Sequence, residues 1–254
     1  MKVGIFSLGL IGGSLLKALA GKGIELVGVT RNIQTIEKAK KYCVSCSDDI
    51  NLLKDCDIVF VCCPISNVLE ILDKLENVVS KNCIVTDVAS VKSFVMNKKY
   101  SYKFIGSHPM AGLETSGFDA AKENLFEGAK WVVTPPNDVN EKDLSELKKI
   151  IALTGARIIL ANAQEHDLAV AYISHLPMII SQALFKNADT QLAKQLASSG
   201  FRDTTRLAMT NNILANDMLR YNGENIKTAF DSLIKNANML LNDSNYIDTI
   251  EKIT

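Results

Sequence analysis

Along roughly the first 160 residues, short β-branched and apolar runs alternate with stretches whose apolar positions recur every three or four residues. The runs at 2–7, 25–29, 57–62, 83–87, 102–106, 131–134 and 157–160 predict strands. The three-to-four periodicity predicts helices over 10–20, 33–41, 68–79 and 141–153, the first closed by Gly21 or Gly23. Pro64 stops the third strand, and Pro135-Pro136-Asn137-Asp138 marks a turn. Alternation of this kind predicts an α/β domain with a doubly wound parallel sheet over residues 1–163. From 164 to 254 the β-rich runs give way to helical periodicity, at 164–186, 188–198, 212–222 and 223–241, with a kink expected at Pro177. The expected architecture is an α/β dinucleotide-binding domain of the Rossmann type followed by an all-helical domain. The long apolar helices of the second part are material for a homodimer interface.

Composition narrows the picture modestly. Among 254 residues, 47% are hydrophobic and 22% charged, as in ordinary water-soluble domains. Lys plus Arg and Asp plus Glu both total 28, which gives no support for a nucleic-acid or membrane-surface partner. No apolar run reaches the roughly 18 residues of a membrane span. Gly4, Gly9, Gly12 and Gly13 interrupt what would be the apolar region of a signal peptide, so a cytoplasmic protein is expected. The six cysteines fall between Cys43 and Cys83; Cys43 and Cys46 have the spacing of half a zinc site or of a redox pair. No second such pair and no nearby histidine completes a ligand set, so neither a metal nor a disulfide is expected.

Chemistry enters first at the amino end. Ser7-Leu8-Gly9-Leu10-Ile11-Gly12-Gly13 lies between the first strand and its helix, where a Gly-x-Gly-x-x-Gly turn would cradle a pyrophosphate. Ser7 stands at the first glycine. Ser7, Gly9, Leu10, Ile11 and Gly12 are the expected cofactor contacts; the bland alternative is a turn that only packs helix on sheet. Strand two ends at Thr30-Arg31-Asn32 without the acidic residue that accepts from the ribose hydroxyls of NAD. Arg31 can pair with a 2′-phosphate, and Thr30 and Asn32 can donate to it, which favours NADP over NAD. The alternative is that Arg31 is a solvated charge.

The second concentration of chemistry follows later strands. His108, in Ser107-His108-Pro109-Met110-Ala111-Gly112, is one of three histidines and lies just past the strand expected at 102–106. Ligands of open parallel sheets gather at such carboxyl ends, and an imidazole there titrates near neutrality, at about 6.5 when unperturbed. Asp87 and Ser90 follow another strand; capping the next helix is the bland reading of both and fits Asp87 well, whereas Ser90 stands at a strand's carboxyl end. His166 and His175 sit on the first long helix, where a histidine is as often structural as catalytic. Gly200 breaks the helical pattern, with Arg202 and Arg206 close by; arginine binds carboxylates bidentately, although a solvated loop would look the same.

Taken together, these segments resemble the prephenate and arogenate dehydrogenases of tyrosine biosynthesis. The resemblance rests on Gly9-Leu10-Ile11-Gly12, Asp87-Val88-Ala89-Ser90-Val91-Lys92, His108-Pro109-Met110-Ala111-Gly112, Glu123-Asn124-Leu125-Phe126, Ser174-His175-Leu176-Pro177 and Gly200-Phe201-Arg202-Asp203-Thr204-Thr205-Arg206, in the family's order over most of the chain. The cyanobacterial-type, NADP-using arogenate enzymes look most similar, through 196–203 and the acid-free end of strand two. The resemblance implies oxidative decarboxylation of a cyclohexadiene substrate, with hydride passing to the nicotinamide. It implies that His108 accepts a hydrogen bond from the ring hydroxyl and must be neutral to do so, and that Ser90 orients the reacting groups. It also implies that Arg206 holds a substrate carboxylate, so that the site draws on both parts of the chain. Glu114, His175 and Asp203 are implied to shape or gate the pocket. Some members carry histidine where this chain has Met178, and the chain stops at Thr254 without an appended regulatory domain, so little separate-domain control by tyrosine is expected. Arogenate with NADP is the favoured pair, and prephenate with NAD or NADP the alternative. A β-hydroxyacid dehydrogenase or pyrroline-carboxylate reductase shares the two-part plan, but the former would lean on a helical lysine base. A catalytically silent NADP-binding sensor is the reading from another class.

Overall fold

A computed structural model describes residues 1–209 and 212–242; the end of the expected helical part, 243–254, lies outside the described residues. The chain divides into two compact units, Met1–Asp167 and a second beginning at Leu168.

The first unit is built on a six-stranded sheet of β1 (Lys2–Phe6), β2 (Glu25–Val29), β3 (Ser45–Ser47), β4 (Ile58–Val61), β5 (Ile84–Asp87) and β6 (Lys103–Phe104). Its order is β3-β2-β1-β4-β5-β6 and every pairing is parallel. The chain leaves β1 in one direction and returns to the other side of it at β4, so the sheet is doubly wound and the crossover point lies at the carboxyl ends of β1 and β4. β4 and β5 are buried at every position, as a parallel sheet covered on both faces requires. The helices are α1 (Leu10–Leu19), α2 (Ile33–Ala39), α3 (Ile65–Leu75), the short α4 (Ser93–Met96) and α5 (Glu141–Ala152).

At Ile105 the chain leaves this sheet and enters a second one, formed by β7 (Gly106–Pro109), β8 (Lys130–Thr134) and β9 (Arg157–Leu160). β7 runs antiparallel to β8, with His108 opposite Val132, and β8 runs parallel to β9. The strand expected at 102–106 is therefore two strands in two sheets, and His108 lies within the second rather than beyond the first. Continuous β character on both sides of Ile105 hides the break. The three-residue β3 is too short to leave a pattern. Trp131 on β8 is fully buried; its ring meets Phe60 edge-on at 6.3 Å and Phe126 at 5.0 Å. A wholly buried indole removes about 200 Å² from water, on the order of 5 kcal/mol of apolar burial.

The second unit is helical. α6 (Ala163–Val170) runs into it, and a π turn over Ala171–His175 separates it from α7 (Leu176–Asn187). The expected disturbance at Pro177 takes this form: with no N–H to donate, the chain widens one turn before the proline. α8 (Gln191–Leu196) is shorter than the 188–198 helix expected. α9 (Ser199–Thr205) and a 3₁₀ turn over Arg206–Met209 occupy the segment where Gly200 suggested a loop, so glycine is tolerated inside a helix there. The two helices expected at 212–222 and 223–241 are present as two segments meeting at a kink, together α10 (Asn212–Asn242), with non-helical backbone at Asn222 (φ −131°, ψ 18°) where the first was expected to end. Ala171, Leu176, Ile226 and Ala229 form one small core, and Met178, Ala215 and Met218 another. The stretch Ala163–Asn187 is long and apolar enough to cross a membrane, where no such run was expected, but it carries buried His166, Asp167 and His175.

Candidate active site

The amino-terminal turn has the shape that a dinucleotide needs. Ser7 has φ +73°, making it the one non-glycine residue in the left-handed region among the described residues. That conformation costs an L-residue roughly 1–2 kcal/mol, and Ser7 takes it at the place where the fingerprint puts glycine. Its amide bonds back to Val29 O at 2.8 Å. At Gly12 a Cβ would lie 2.1 Å from Ser7 O, so nothing larger than glycine fits. At Gly9, which opens α1 without a side-chain cap, a Cβ would meet nothing within 4 Å. An open helix N-terminus approached by bare backbone is an anion site. The residues thus fit a dinucleotide.

Beside the turn lies a cavity of about 350 Å³. Ser7, Leu8 and Gly9 form one wall, Thr30, Asn32 and the first turns of α2 another, and residues 116–119 a third. Leu10, Ile11 and Gly12 do not line it, nor does Arg31. Arg31 is exposed, and its charge is a minor contributor, after Lys74, to holding Glu70 below the usual carboxylate range. The Asn32 carboxamide oxygen accepts from Thr35 N at 3.0 Å and so caps α2. Lys38 lines the cavity and pairs with Asp119 at 2.6 Å. Sequence reasoning passed over Lys38, Gln34 and Thr35 because they lie inside a helix, beyond the strand end where ribose contacts are sought.

At the end of β5 the local reading of Asp87 as a helix cap gives way to a buried ion pair. Asp87 Oδ2 accepts from Lys92 Nζ and from Ala89 N at 3.0 Å. Lys92 Nζ also donates to Ser107 O at 2.7 Å, and Ser107 donates its amide to Asp87 Oδ1 at 3.3 Å and its hydroxyl to Asp87 O at 2.8 Å. Asp87, Lys92 and Ser107 are all fully buried. Desolvation pulls the Lys92 ammonium below its ordinary pKa against the attraction of Asp87. The pair clamps β7 to the β5 end one residue before His108. Ser90, between the partners, has a buried Oγ with no hydrogen-bond partner among the described residues.

His108 is half-buried, and its Nδ1 lies 2.9 Å from His166 Nε2. His166 Nδ1 lies 2.9 Å from Asp167 Oδ1. Asp167 accepts the backbone N–H of Lys92 and of Ser93, each at 2.7 Å, and so caps α4 from a distance in sequence. Burial pushes the Asp167 carboxyl upward, but the His166 ring, the Ser93 hydroxyl and the two amides outweigh it and hold it below its usual value. His166 and Asp167, left without a role by their helical setting, are thus part of the cluster around His108.

In the helical unit His175 is fully buried within the π turn, and its Nδ1 lies 3.1 Å from Asn222 Nδ2 at the irregular point of α10. Asn225 donates to Asn222 Oδ1 at 2.8 Å, which turns the Asn222 amide nitrogen toward the ring. His175 Nδ1 is then an acceptor and its proton sits on Nε2. Asp203 on α9 and Arg206 one turn later are exposed, and so is Glu114 in the first unit.

Residues 15–160 match the family described as prephenate dehydrogenase, nucleotide-binding domain, and residues 162–247 the prephenate dehydrogenase dimerization domain. The prephenate dehydrogenase of Bacillus subtilis is 32% identical over 246 residues, covering 90% of this chain and 66% of that protein. The chain thus spans slightly under two thirds of the length of that relative. The crystal structure of Synechocystis arogenate dehydrogenase superposes with a TM-score of 0.86 at 38% identity, covering 95% of this chain and 91% of that one. Prephenate dehydrogenase from A. aeolicus, in complex with hydroxyphenyl propionate and NAD+, superposes with a TM-score of 0.87 at 29% identity, covering 95% and 90%.

Proposed function

The chain belongs to the prephenate dehydrogenase family, and on that premise we propose that it catalyses the NADP-dependent oxidative decarboxylation of arogenate to tyrosine. The observation that carries the reading is the line of contacts from buried Asp167 through buried His166 to half-buried His108. It places a supported imidazole on a strand beside the clamped end of β5. The turn at Ser7–Gly12 and the neighbouring cavity would hold the dinucleotide, which when bound supplies the nicotinamide that accepts hydride.

His108 accepts a hydrogen bond from the substrate's ring hydroxyl as positive character builds on the hydroxyl-bearing carbon. Help of this kind is typically worth 10²–10⁴-fold. Ser90 turns its unpartnered hydroxyl to the reacting groups. In the helical unit we assign Arg206 to a substrate carboxylate, held bidentately, and give Asp203 and His175 a part in shaping the substrate's surroundings; Glu114 is assigned the same part from the first unit. Loss of carbon dioxide from the opposite ring carbon then makes the ring aromatic. NADP is favoured by the acid-free strand end at Thr30-Arg31-Asn32 and by Lys38 in the cavity wall. We further propose a homodimer through the helical domain (residues 164–254), in keeping with its dimerization-domain match, and a cytoplasmic setting, in keeping with six free cysteines.

The B. subtilis and A. aeolicus relatives favour a second reading, prephenate with NAD. Steady-state rates with arogenate and prephenate, each with NADP and NAD, decide between them. The expected result is the highest kcat/KM for arogenate with NADP. A clear NAD preference overturns the cofactor assignment, and absence of turnover with both substrates overturns the enzyme.

A further inference from the structure

We propose that His166 and Asp167 are positioning residues which fix the tautomer of His108, so that its Nε2 presents a lone pair and its Nδ1 carries the proton. The proposal rests on the reading of His108 as the hydrogen-bond acceptor for the substrate hydroxyl.

The assignment is proton bookkeeping along one line of contacts. A carboxylate only accepts. Asp167 Oδ1 already takes Lys92 N at 2.7 Å, and the ring nitrogen 2.9 Å from it, His166 Nδ1, must therefore donate. A neutral imidazole has one N–H, so His166 Nε2 holds a lone pair. The atom 2.9 Å from that lone pair is His108 Nδ1, which must donate in turn. The His108 proton is spent on His166, and its Nε2 is left as an acceptor. The opposite tautomer would aim an N–H at the substrate hydroxyl; it could donate to the hydroxyl oxygen but not accept its proton.

The anchor of the line is firm. Asp167 is 1% exposed and His166 3%. Asp167 Oδ2 takes Ser93 N at 2.7 Å, so the carboxylate cannot rotate without abandoning the start of α4. Its carboxyl is held below the ordinary range, so it stays charged wherever His108 is neutral. His166 lies 58 residues from His108, and Asp167 75 from Lys92. A contact at that separation has to be specified by the fold. A buried carboxylate that sets an imidazole's tautomer is a known device of nucleophilic hydrolases, where losing the correct tautomer costs about 10⁴ in kcat.

The test has two arms. The chain has three histidines, so ¹⁵N-labelled histidine gives a spectrum of three rings, assigned by single His→Gln variants. In the neutral range the proposal expects His108 protonated at Nδ1 and His166 at Nδ1, and D167N shifting the His166 ring to the Nε2–H form. Asparagine cannot serve both backbone amides and the ring with one oxygen. His108 protonated at Nε2 in the wild type overturns the proposal. This arm needs no substrate, so it stands even where the assigned reaction fails.

The second arm is kinetic. His166→Leu removes the acceptor for His108 Nδ1–H, and kcat is expected to fall on the order of 10²–10⁴-fold with cofactor KM little changed. His166→Gln keeps an amide oxygen near the Nε2 position and is expected to recover at least about tenfold over leucine. A leucine variant within threefold of wild type, or a glutamine variant no better than leucine in a folded protein, overturns the positioning role.

Discussion

The buried Asp87–Lys92 pair invites a quantitative test through Lys92→Met. Methionine keeps the length and most of the volume of the lysine stem, so the perturbation is the loss of one ammonium. Lys92 Nζ serves Asp87 Oδ2 and Ser107 O, and none of the three residues touches solvent. Without the ammonium, Asp87 is a buried carboxylate supported only by the amides of Ala89 and Ser107, and Ser107 O loses its side-chain donor. Breaking a buried pair in this way costs about 3–5 kcal/mol, a large share of the 5–15 kcal/mol by which domains are stable. The opposing term is relief of the ammonium's own desolvation, the effect that lowers the Lys92 pKa. The double variant Asp87→Asn/Lys92→Met removes the stranded charge as well and is expected to recover about 1–2 kcal/mol of the loss. Urea unfolding followed by tryptophan fluorescence reads this unit alone, because the chain's single tryptophan, Trp131, is wholly buried in it. With a slope of about 2 kcal/mol/M, the midpoint should fall by about 1.5–2.5 M for the single variant. A shift under about 0.5 M, or a double variant less stable than the single one, refutes the reasoning. So would unchanged turnover, since the pair holds Ser107 beside His108.

Gly12→Ala puts a methyl 2.1 Å from Ser7 O; the turn must open, and dinucleotide affinity measured by fluorescence titration should fall at least about tenfold, or 1.4 kcal/mol. Affinity within twofold of wild type would mean that the turn does not hold the pyrophosphate. Cys43 should be the first thiol alkylated by limiting iodoacetamide. The hydrogen bond from Cys46 lowers its pKa, whereas burial pushes Cys56, Cys63 and Cys83 up to about 12. Peptide mapping that finds another cysteine modified first contradicts this. Asp167, with its folded pKa depressed, contributes stability that is complete above the unfolded value of about 3.9 and lost as pH falls through the folded one. The stability difference between wild type and D167N should therefore be flat from pH 5 to 8 and shrink below about pH 4; a difference that changes near neutrality would point to another group.

What the sequence made legible, and what it hid, follows from the range of the contacts. Strands β2 and β9 fall where 25–29 and 157–160 were expected, because β-branched runs bounded by turns carry their own signal. The turn at Ser7 was legible as a class but not in conformation: serine has no preference for φ +73°, and the close approach of Ser7 O to Gly12 is visible only once the chain is folded. Asp87, Ser90, His108, His166 and Asp167 each invite a bland local reading as cap, strand end or helical polar residue. Those readings go wrong only in the choice of partner. Asp167 does cap a helix, but α4, lying 75 residues earlier. Asp87 does accept an amide two residues on, while its charge is met by Lys92 and its neighbour strand by Ser107. A periodicity argument ranks a residue by its own element, so it cannot see that the β5 end, β7 and the start of α6 converge.

That convergence has a consequence for how the site tolerates change. Each of the three segments satisfies a buried polar group of another: Lys92 serves Ser107, Asp167 serves the amides of Lys92 and Ser93, and His166 serves His108. The network is therefore closed, and removing one member strands the next, at about 1–3 kcal/mol for each buried neutral group and more for a charge. Stability and imidazole tautomer are set by the same atoms. A substitution that loosens the β5 end should thus damage turnover before it unfolds the protein, because the relay to His108 fails once α4 releases Asp167, while the apolar core around Trp131 can still hold the sheets together.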